Sequence, residues 1–256
     1  MKILKSILTA AVLAAGFATS TAAEVRLGLD SSNYDPFYSR SASGEWSGWE
    51  IEIGDAICAA MKEECVWVPI AWDGIIPALT AKKIDAIFGS MSITDERKKT
   101  INFSDKYYNT PAALIAPKNL KIESAADLKG KNIGVQVSST HENYANANFA
   151  ADSNIKIYQD FNEHNFDLVA GRIDAVVADS LALSPFLESA DGGCCEVKMI
   201  LNDDAIFGIG VGAGIRKEDT ELLAKFNAAI KQIREDGTYD KISAKYFNFD
   251  IYGGSN

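Results

Sequence analysis

The sequence predicts an α/β protein built of two similar halves. Strand-like apolar runs alternate with amphipathic helical stretches along the whole chain. One phrase also occurs twice, AKKIDAIFGS at 81–90 and AGRIDAVVAD at 170–179. In each copy a helix ends at a small or basic turn, a buried strand opens on Ile-Asp-Ala, and a polar residue, Ser90 or Asp179, follows the strand. Open α/β sheets take their ligands beyond the carboxyl ends of strands, so two such lobes facing each other would bring Ser90 and Asp179 to one cleft. The competing explanation is a chance match of a short phrase.

Residues 1–23 carry Lys2 and Lys5, an apolar run, and small residues before Glu24, the layout of a cleaved secretory signal peptide. The run is well short of the ~20 apolar residues that cross a bilayer, and no later segment comes close. In the first half, strands are expected at 24–29, 65–70 and 84–88, because each is a short apolar run bounded by turn residues. The stretch 51–61 sets Ile53, Ala56, Ile57, Ala60 and Met61 on one helical face, and 74–80 is a shorter helix. The second half repeats the alternation, with strands at 112–116, 132–137, 156–158 and 175–177. Its helices start at about Thr140 and run over 163–170, with Gly171 as a C-terminal glycine. Helical patterns over 221–235 and 239–247 close the chain.

Without Lys2 and Lys5 the chain holds 23 Lys and Arg against 35 Asp and Glu, a net charge of −12. That surface argues against nucleic acid and mildly favours cationic ligands. The two histidines, His141 and His164, have no metal-ligand spacing, and no motif calls for a cofactor. FGIGVGAG (207–214) lacks the G-x-G-x-x-G register and reads as glycine that lets a strand pack closely.

Four cysteines in an exported chain allow disulfides. Cys58 and Cys65 on one continuous helix would lie ~10 Å apart, too far to bond. They pair only if the helix stops near 62–64 and the chain turns back into the strand; otherwise both are free thiols. Cys194 and Cys195 are adjacent, and a bridge between neighbours is strained, so this pair is left open.

The residues beyond the strand ends carry the chemistry. Ser90, Met91 and Ser92 lead to Arg97, whose planar guanidinium suits a carboxylate, unless it merely serves acidic neighbours at a solvated helix start. In the second half, Ser139 and Glu142 have capping-box spacing, and the helix start they mark is a second anion site. Asp179 supplies the opposite charge, well placed for an ammonium, although a lone Asp after a strand is commonly a turn or cap residue. Together these groups complement an amino acid zwitterion.

Trp72-Asp-Gly-Ile-Ile-Pro-Ala-Leu79, the stretch KKIDAIFGSMSITDERKKTINFSDKYY (82–108), AGRIDAVVAD and the closing EDGTYDKISAKYFNFDIYG (235–253) resemble the periplasmic solute-binding proteins of ABC amino acid transporters. The likeness is greatest to the lysine/arginine/ornithine- and histidine-binding group, and it runs over essentially all of the chain after residue 23. It implies a type II two-lobe periplasmic binding protein fold with two hinge crossings, lobe 1 being 24–110 with 213–256 and lobe 2 being 111–212. It further implies a monomer in the periplasm that docks transiently with an inner-membrane ABC permease, has no cofactor, and is not an enzyme.

By that resemblance Arg97 grips the ligand carboxylate with Ser92 and Thr140, while Asp179, Ser90 and Ser92 take the ammonium. Met91, Gln136 and Ser139 belong to the same pocket, and Gln136 and His141 stand at wall positions that vary with specificity. Tyr34 and Trp72 sandwich the ligand side chain, and Asp30 faces a cationic tip, an arrangement that combines cation–π and Coulomb attraction. Individually Tyr34 and Trp72 would pass as core aromatics and Asp30 as a turn residue. The Cys58/Cys65 pair matches the group's disulfide. The sequence departs from the group in two respects: the stretch from Asp30 to Tyr34 is one residue longer, and Gly89 replaces a serine, which removes a pocket hydroxyl and widens the room for histidine or an opine. A periplasmic dehydratase on the same fold is the rival class, against which stands the lack of an evident acid/base pair.

Overall fold

The computed structural model describes residues 24–253; the expected signal peptide lies outside the described residues. Twelve strands are defined in chain order: β1 Val25–Asp30, β2 Ser39–Arg40, β3 Trp46–Ser47, β4 Cys65–Ile70, β5 Ala86–Ile87, β6 Asn102–Phe103, β7 Ala112–Pro117, β8 Asn132–Gln136, β9 Asn154–Tyr158, β10 Ala175–Asp179, β11 Cys195–Leu201 and β12 Gly214–Ile215. They form two five-stranded sheets, β4-β1-β5-β12-β6 and β11-β7-β10-β8-β9, while β2 and β3 make a separate hairpin. The helices are α1 Trp49–Met61, α2 Ile75–Thr80, α3 Asp95–Lys98, α4 Thr140–Asn148, α5 Glu163–Val169, α6 Ser180–Glu188, α7 Asp204–Phe207, α8 Thr220–Glu235 and α9 Thr238–Ser243. Each sheet has its own flanking helices, so the molecule has two α/β lobes. The first lobe's sheet takes one strand, β12, from the C-terminal part of the chain.

The repeated phrase is one structural unit used twice. Its second residue, Lys82 or Gly171, takes the left-handed conformation (φ 59° and 68°) that ends the preceding helix. Its aspartate then clasps the neighbouring parallel strand. The Asp85 carboxylate accepts the Arg26 N–H at 3.1 Å, and the Asp174 carboxylate accepts the Asn132 N–H at 2.8 Å. Two residues further along each of those strands stands a glycine. A Cβ on Gly28 would lie 2.3 Å from Ile84 Cδ1, and one on Gly134 would lie 2.6 Å from Ile173 Cδ1, so the isoleucine of the phrase fills the space a side chain would need. The phrase therefore encodes a helix stop, a strand clasp and a packing contact, and it ends by delivering Ser90 and Asp179 to equivalent positions.

The lobes are joined through segments 104–111 and 202–213, which pair with each other. Tyr107 N–H donates to Val211 O and Val211 N–H to Tyr108 O, both at 2.9 Å. The glycines of FGIGVGAG permit that closeness: a Cβ on Gly208 (φ 82°) would lie 2.1 Å from Ile93 O, and one on Gly210 (φ 127°) 2.9 Å from Tyr108 O. Around this crossing Phe37, Trp49, Tyr107, Tyr108 and Tyr239 are buried and pack ring against ring.

Several elements differ from the sequence expectation. The last helix stops at Ser243 rather than running to Phe247. Helix α6 was not expected because Pro185 lies inside it. The edge strand β11 was missed because charged residues interrupt its apolar run. Helix α1 ends at Met61 with Lys62 in the left-handed region, and the chain turns back so that Cys58 and Cys65 are bonded with Cα atoms 6.2 Å apart. Cys194 and Cys195 are free, the first exposed and the second buried. Closing a loop as short as that between Cys58 and Cys65 stabilises by about 2–3 kcal/mol through the unfolded chain. Replacing Cys58 and Cys65 together by serine is thus expected to lower Tm by roughly 5–10 °C by calorimetry, in a chain of this size.

Candidate functional site

A small, nearly filled cavity between the lobes lies where the repeat delivers its polar residues. From the first lobe it is lined by Tyr34, Tyr38, Trp72, Gly89, Ser90, Ser92 and Arg97, and from the second by Gln136, Ser139, Thr140, His141 and Asp179. Of the residues expected from sequence, only Asp30 and Met91 are not on this wall. Met91 is buried in the core cluster that also holds Trp72 and Ile75, and it does not reach the cavity wall. Asp30 is buried just behind the wall, and its carboxylate accepts the Gln136 amide across the cleft at 2.7 Å.

Arg97 sits on the one-turn helix α3, whose cap is the Thr94 hydroxyl accepting the Arg97 N–H at 3.2 Å. Its guanidinium is turned from the acidic neighbours Asp95 and Glu96 toward the cleft. It donates to Ser92 O at 3.1 Å and across the lobes to Ser138 O at 3.4 Å, and it lies 5.5 Å from the centre of the Trp72 ring. Burial lowers its pKa to about 10, with the Asp179 charge opposing the shift, so it stays protonated at neutral pH. The Trp72 indole also donates to Ser138 O, at 3.3 Å. That carbonyl faces the cleft because Ser138 has a left-handed backbone, φ 55°.

The start of α4 is capped as the sequence implied, by Ser139 Oγ accepting the Glu142 N–H at 3.0 Å. The Glu142 carboxylate reaches one residue further back than a standard capping box and takes the Ser138 N–H at 2.6 Å. Thr140 and His141 occupy the first turn of α4, next to the cavity.

Asp179 occupies the N-cap position of α6, yet its side chain makes no cap hydrogen bond. It is directed at the cleft, where it accepts the Tyr34 hydroxyl from the other lobe and lies 3.4 Å from His141 Nε2. The lobes also meet where Phe161 packs edge-on to Tyr34 at 4.5 Å and where the Asn162 amide donates to Asn33 O at 2.9 Å. The cavity is thus closed, with one guanidinium on the first lobe facing one carboxylate on the second. Asp30 adds a second carboxylate, held above its usual pKa chiefly by burial.

Sequence reasoning missed Tyr38 and Glu50. Tyr38 backs the wall because Tyr34 N–H donates to Tyr38 O at 2.7 Å, closing a turn that places both rings on one side. Only its spacing from Tyr34 could have indicated it. Glu50 is fully buried behind Ser90, and nothing in the helical pattern of α1 marks it.

Two α/β lobes joined by paired crossings around a polar cleft define a periplasmic-binding-protein-like fold of type II. The chain belongs to the bacterial extracellular solute-binding proteins, family 3, whose profile matches residues 25–249. It is 46 % identical over 235 residues to the L-arginine-binding protein of Pseudomonas aeruginosa, covering 90 % of both chains. It is 43 % identical over 233 residues to the lysine/arginine/ornithine-binding periplasmic protein of Escherichia coli, covering 90 % of this chain and 89 % of that one. Among solved structures, an ancestral arginine-binding protein bound to arginine matches with a TM-score of 0.81 at 34 % identity, over 88 % of this chain and 98 % of that one.

Gly89 lines the cavity with its backbone, and the reading that it simply removes a pocket hydroxyl needs correction. A Cβ there would lie 2.9 Å from Leu29 Cα, so a side chain presses on the neighbouring strand rather than filling open space. Gly89→Ser is accordingly expected to destabilise the protein by about 1–3 kcal/mol, measured by urea denaturation, rather than to add a ligand contact.

Proposed function

We propose that this protein is the exported ligand-binding component of an ABC transporter, which captures a cationic L-amino acid such as arginine, ornithine or lysine between its lobes and passes it to an inner-membrane permease. The observation that carries this reading is the charge inventory of the cleft. A zwitterion's carboxylate would take Arg97 and the donors at the start of α4, and its ammonium would take Asp179 with the oxygens of Ser90 and Ser92. These pairings leave Asp30 without a partner cation, and a ligand carrying a third, positive group matches that remainder. Trp72 and Tyr34 would flank that group's stem, and Gln136, now bonded to Asp30, would yield to it. Charge-assisted hydrogen bonds contribute roughly 1.5–3 kcal/mol each, so several outweigh the cost of ordering a small ligand and reach about micromolar affinity.

The relatives named for arginine and for lysine, arginine and ornithine support the ligand class, and they support a periplasmic location for a chain that opens with a signal-like segment. The proposed hinge divides residues 24–110 and 213–256 from 111–212, with the crossing pair Tyr107–Val211 bending as the lobes open. Such a receptor works as a monomer and needs neither metal nor cofactor.

Isothermal titration with the twenty amino acids and ornithine is expected to give micromolar or tighter binding for cationic members. Heat only with histidine or with opines would move the ligand class, and turnover of a cyclohexadienyl acid would move the protein to the dehydratases. Arg97→Ala is expected to remove binding of every amino acid, whereas Asp30→Asn should weaken cationic ligands by about 10- to 100-fold and leave neutral ones unchanged. Equal losses in both variants would dissolve the division between backbone grip and side-chain selection.

A further inference from the structure

Glu50 lies outside the cavity, is fully buried, and has its carboxylate saturated by donors from two directions. Ser90 gives it both a backbone N–H and a side-chain O–H, each at 2.8 Å, and the Tyr107 hydroxyl gives it a third bond. Ser90 is on the cavity wall in a left-handed backbone conformation, φ 57°, and Tyr107 lies on the crossing between the lobes. No cation is among these three donors.

The consequence for Ser90 is one of polarity. A hydroxyl has one proton and two lone pairs, and here the proton is committed to Glu50. Only lone pairs remain for the cavity, so Ser90 Oγ is presented as an acceptor. The repeat gives the comparison: the equivalent position in the second half is Asp179, a full carboxylate. Ser90 backed by Glu50 is its counterpart, a neutral oxygen made electronegative by a buried charge one bond behind it. If Glu50 is protonated on Oε2, its O–H points at Ser90 Oγ, and the serine proton turns outward into the cavity.

We propose that Glu50 is a positioning residue for ligand capture: its ionised carboxylate fixes Ser90 as an acceptor for the ligand's α-ammonium group, so that binding is coupled to loss of a proton from Glu50. This rests on the proposed amino acid ligand.

The direction of the coupling is set by the surroundings. Burial, the largest effect, raises the Glu50 pKa to about 7, against the lowering by the Tyr107 and Ser90 hydrogen bonds, and the Asp179 charge raises it further. The other titratable groups facing it are the hydroxyls of Tyr38, Tyr107 and Tyr108, all held well above their usual range by burial first. An ammonium arriving between Asp179 and Ser90 favours the carboxylate and lowers its pKa. Free protein therefore carries part of a proton near pH 7 and bound protein does not. Affinity should rise as pH rises through about 7, until the ligand's own α-ammonium begins to deprotonate above about pH 8.

Calorimetric titration of L-arginine in buffers of different ionisation enthalpy tests this on the unaltered protein: proton release is expected near pH 7 and should give way above about pH 8 to uptake, as the ligand's own α-ammonium begins to lose its proton in solution. Glu50→Gln should abolish the release, because its amide donates to Ser90 Oγ at every pH. It should also weaken arginine by about 10- to 100-fold while changing the desamino analogue of arginine, which lacks the ammonium, by less than about two-fold. The His141 ring lies 3.4 Å from Asp179, so His141→Gln is the control, and it should retain the release. Release lost in His141→Gln but kept in Glu50→Gln, or equal weakening of arginine and its desamino analogue, would overturn the proposal. If the unaltered protein binds no cationic amino acid, the ligand reading fails first, and the same pair of measurements on the amino acid that does bind, with its own desamino analogue, judges Glu50 separately.

Discussion

Two opposite, partly buried charges on different lobes govern this structure. Arg97 and Asp179 each occupy a local position that would ordinarily use up their chemistry, Arg97 among acidic neighbours on α3 and Asp179 at the cap of α6. Neither is used up there. Arg97 stacks near Trp72 and donates only to carbonyls, and Asp179 leaves the helix end uncapped to accept from Tyr34. Carbonyl and hydroxyl partners satisfy a charge less well than a counter-ion does, and a desolvated charge gains most from a ligand that supplies one. Because the two groups ride on separate lobes, a ligand that met both would hold the cleft shut.

The duplicated phrase explains how a chain arrives at that geometry twice. Clasping aspartates and the Gly28/Ile84 and Gly134/Ile173 contacts lock each strand to its parallel neighbour, which fixes the strand end to within the tolerance of a packed core. The residue just past each strand end is then free to differ. The first half ends in Ser90 supported by Glu50 and the second in Asp179, so equal scaffolds present a neutral and a charged oxygen to one space.

Much of this was legible in the order of residues. The alternation of periods gave the α/β class, the repeated phrase gave the two strand ends, and the seven-residue spacing of Cys58 and Cys65 stated the condition, a helix stop and reversal, that Lys62 meets with φ 60°. Arg97, Ser92, Thr140 and Asp179 all reach the cavity wall. Met91 did not, because its side chain is buried in the first lobe's core cluster with Trp72 and Ile75. The role of Gly89 was misread because the neighbour that crowds it, Leu29, is distant in sequence. Helix α6 was hidden by Pro185, which local propensity counts against a helix and tertiary packing overrides.

Sequence by itself determined most of the units: the principal strands and helices, the helix stops before Cys65 and at Gly171, and which polar groups stand past the strand ends. Those outcomes depend on local periodicity, turn conformation and contacts a few residues apart. Only the tertiary structure decided the partners. That Glu50 backs Ser90, that Tyr34 reaches Asp179, and that Gln136 covers Asp30 are contacts between residues 40, 145 and 106 positions apart. The first depends on how α1 packs within its lobe and the other two on how the two lobes are set against each other, which no local pattern encodes.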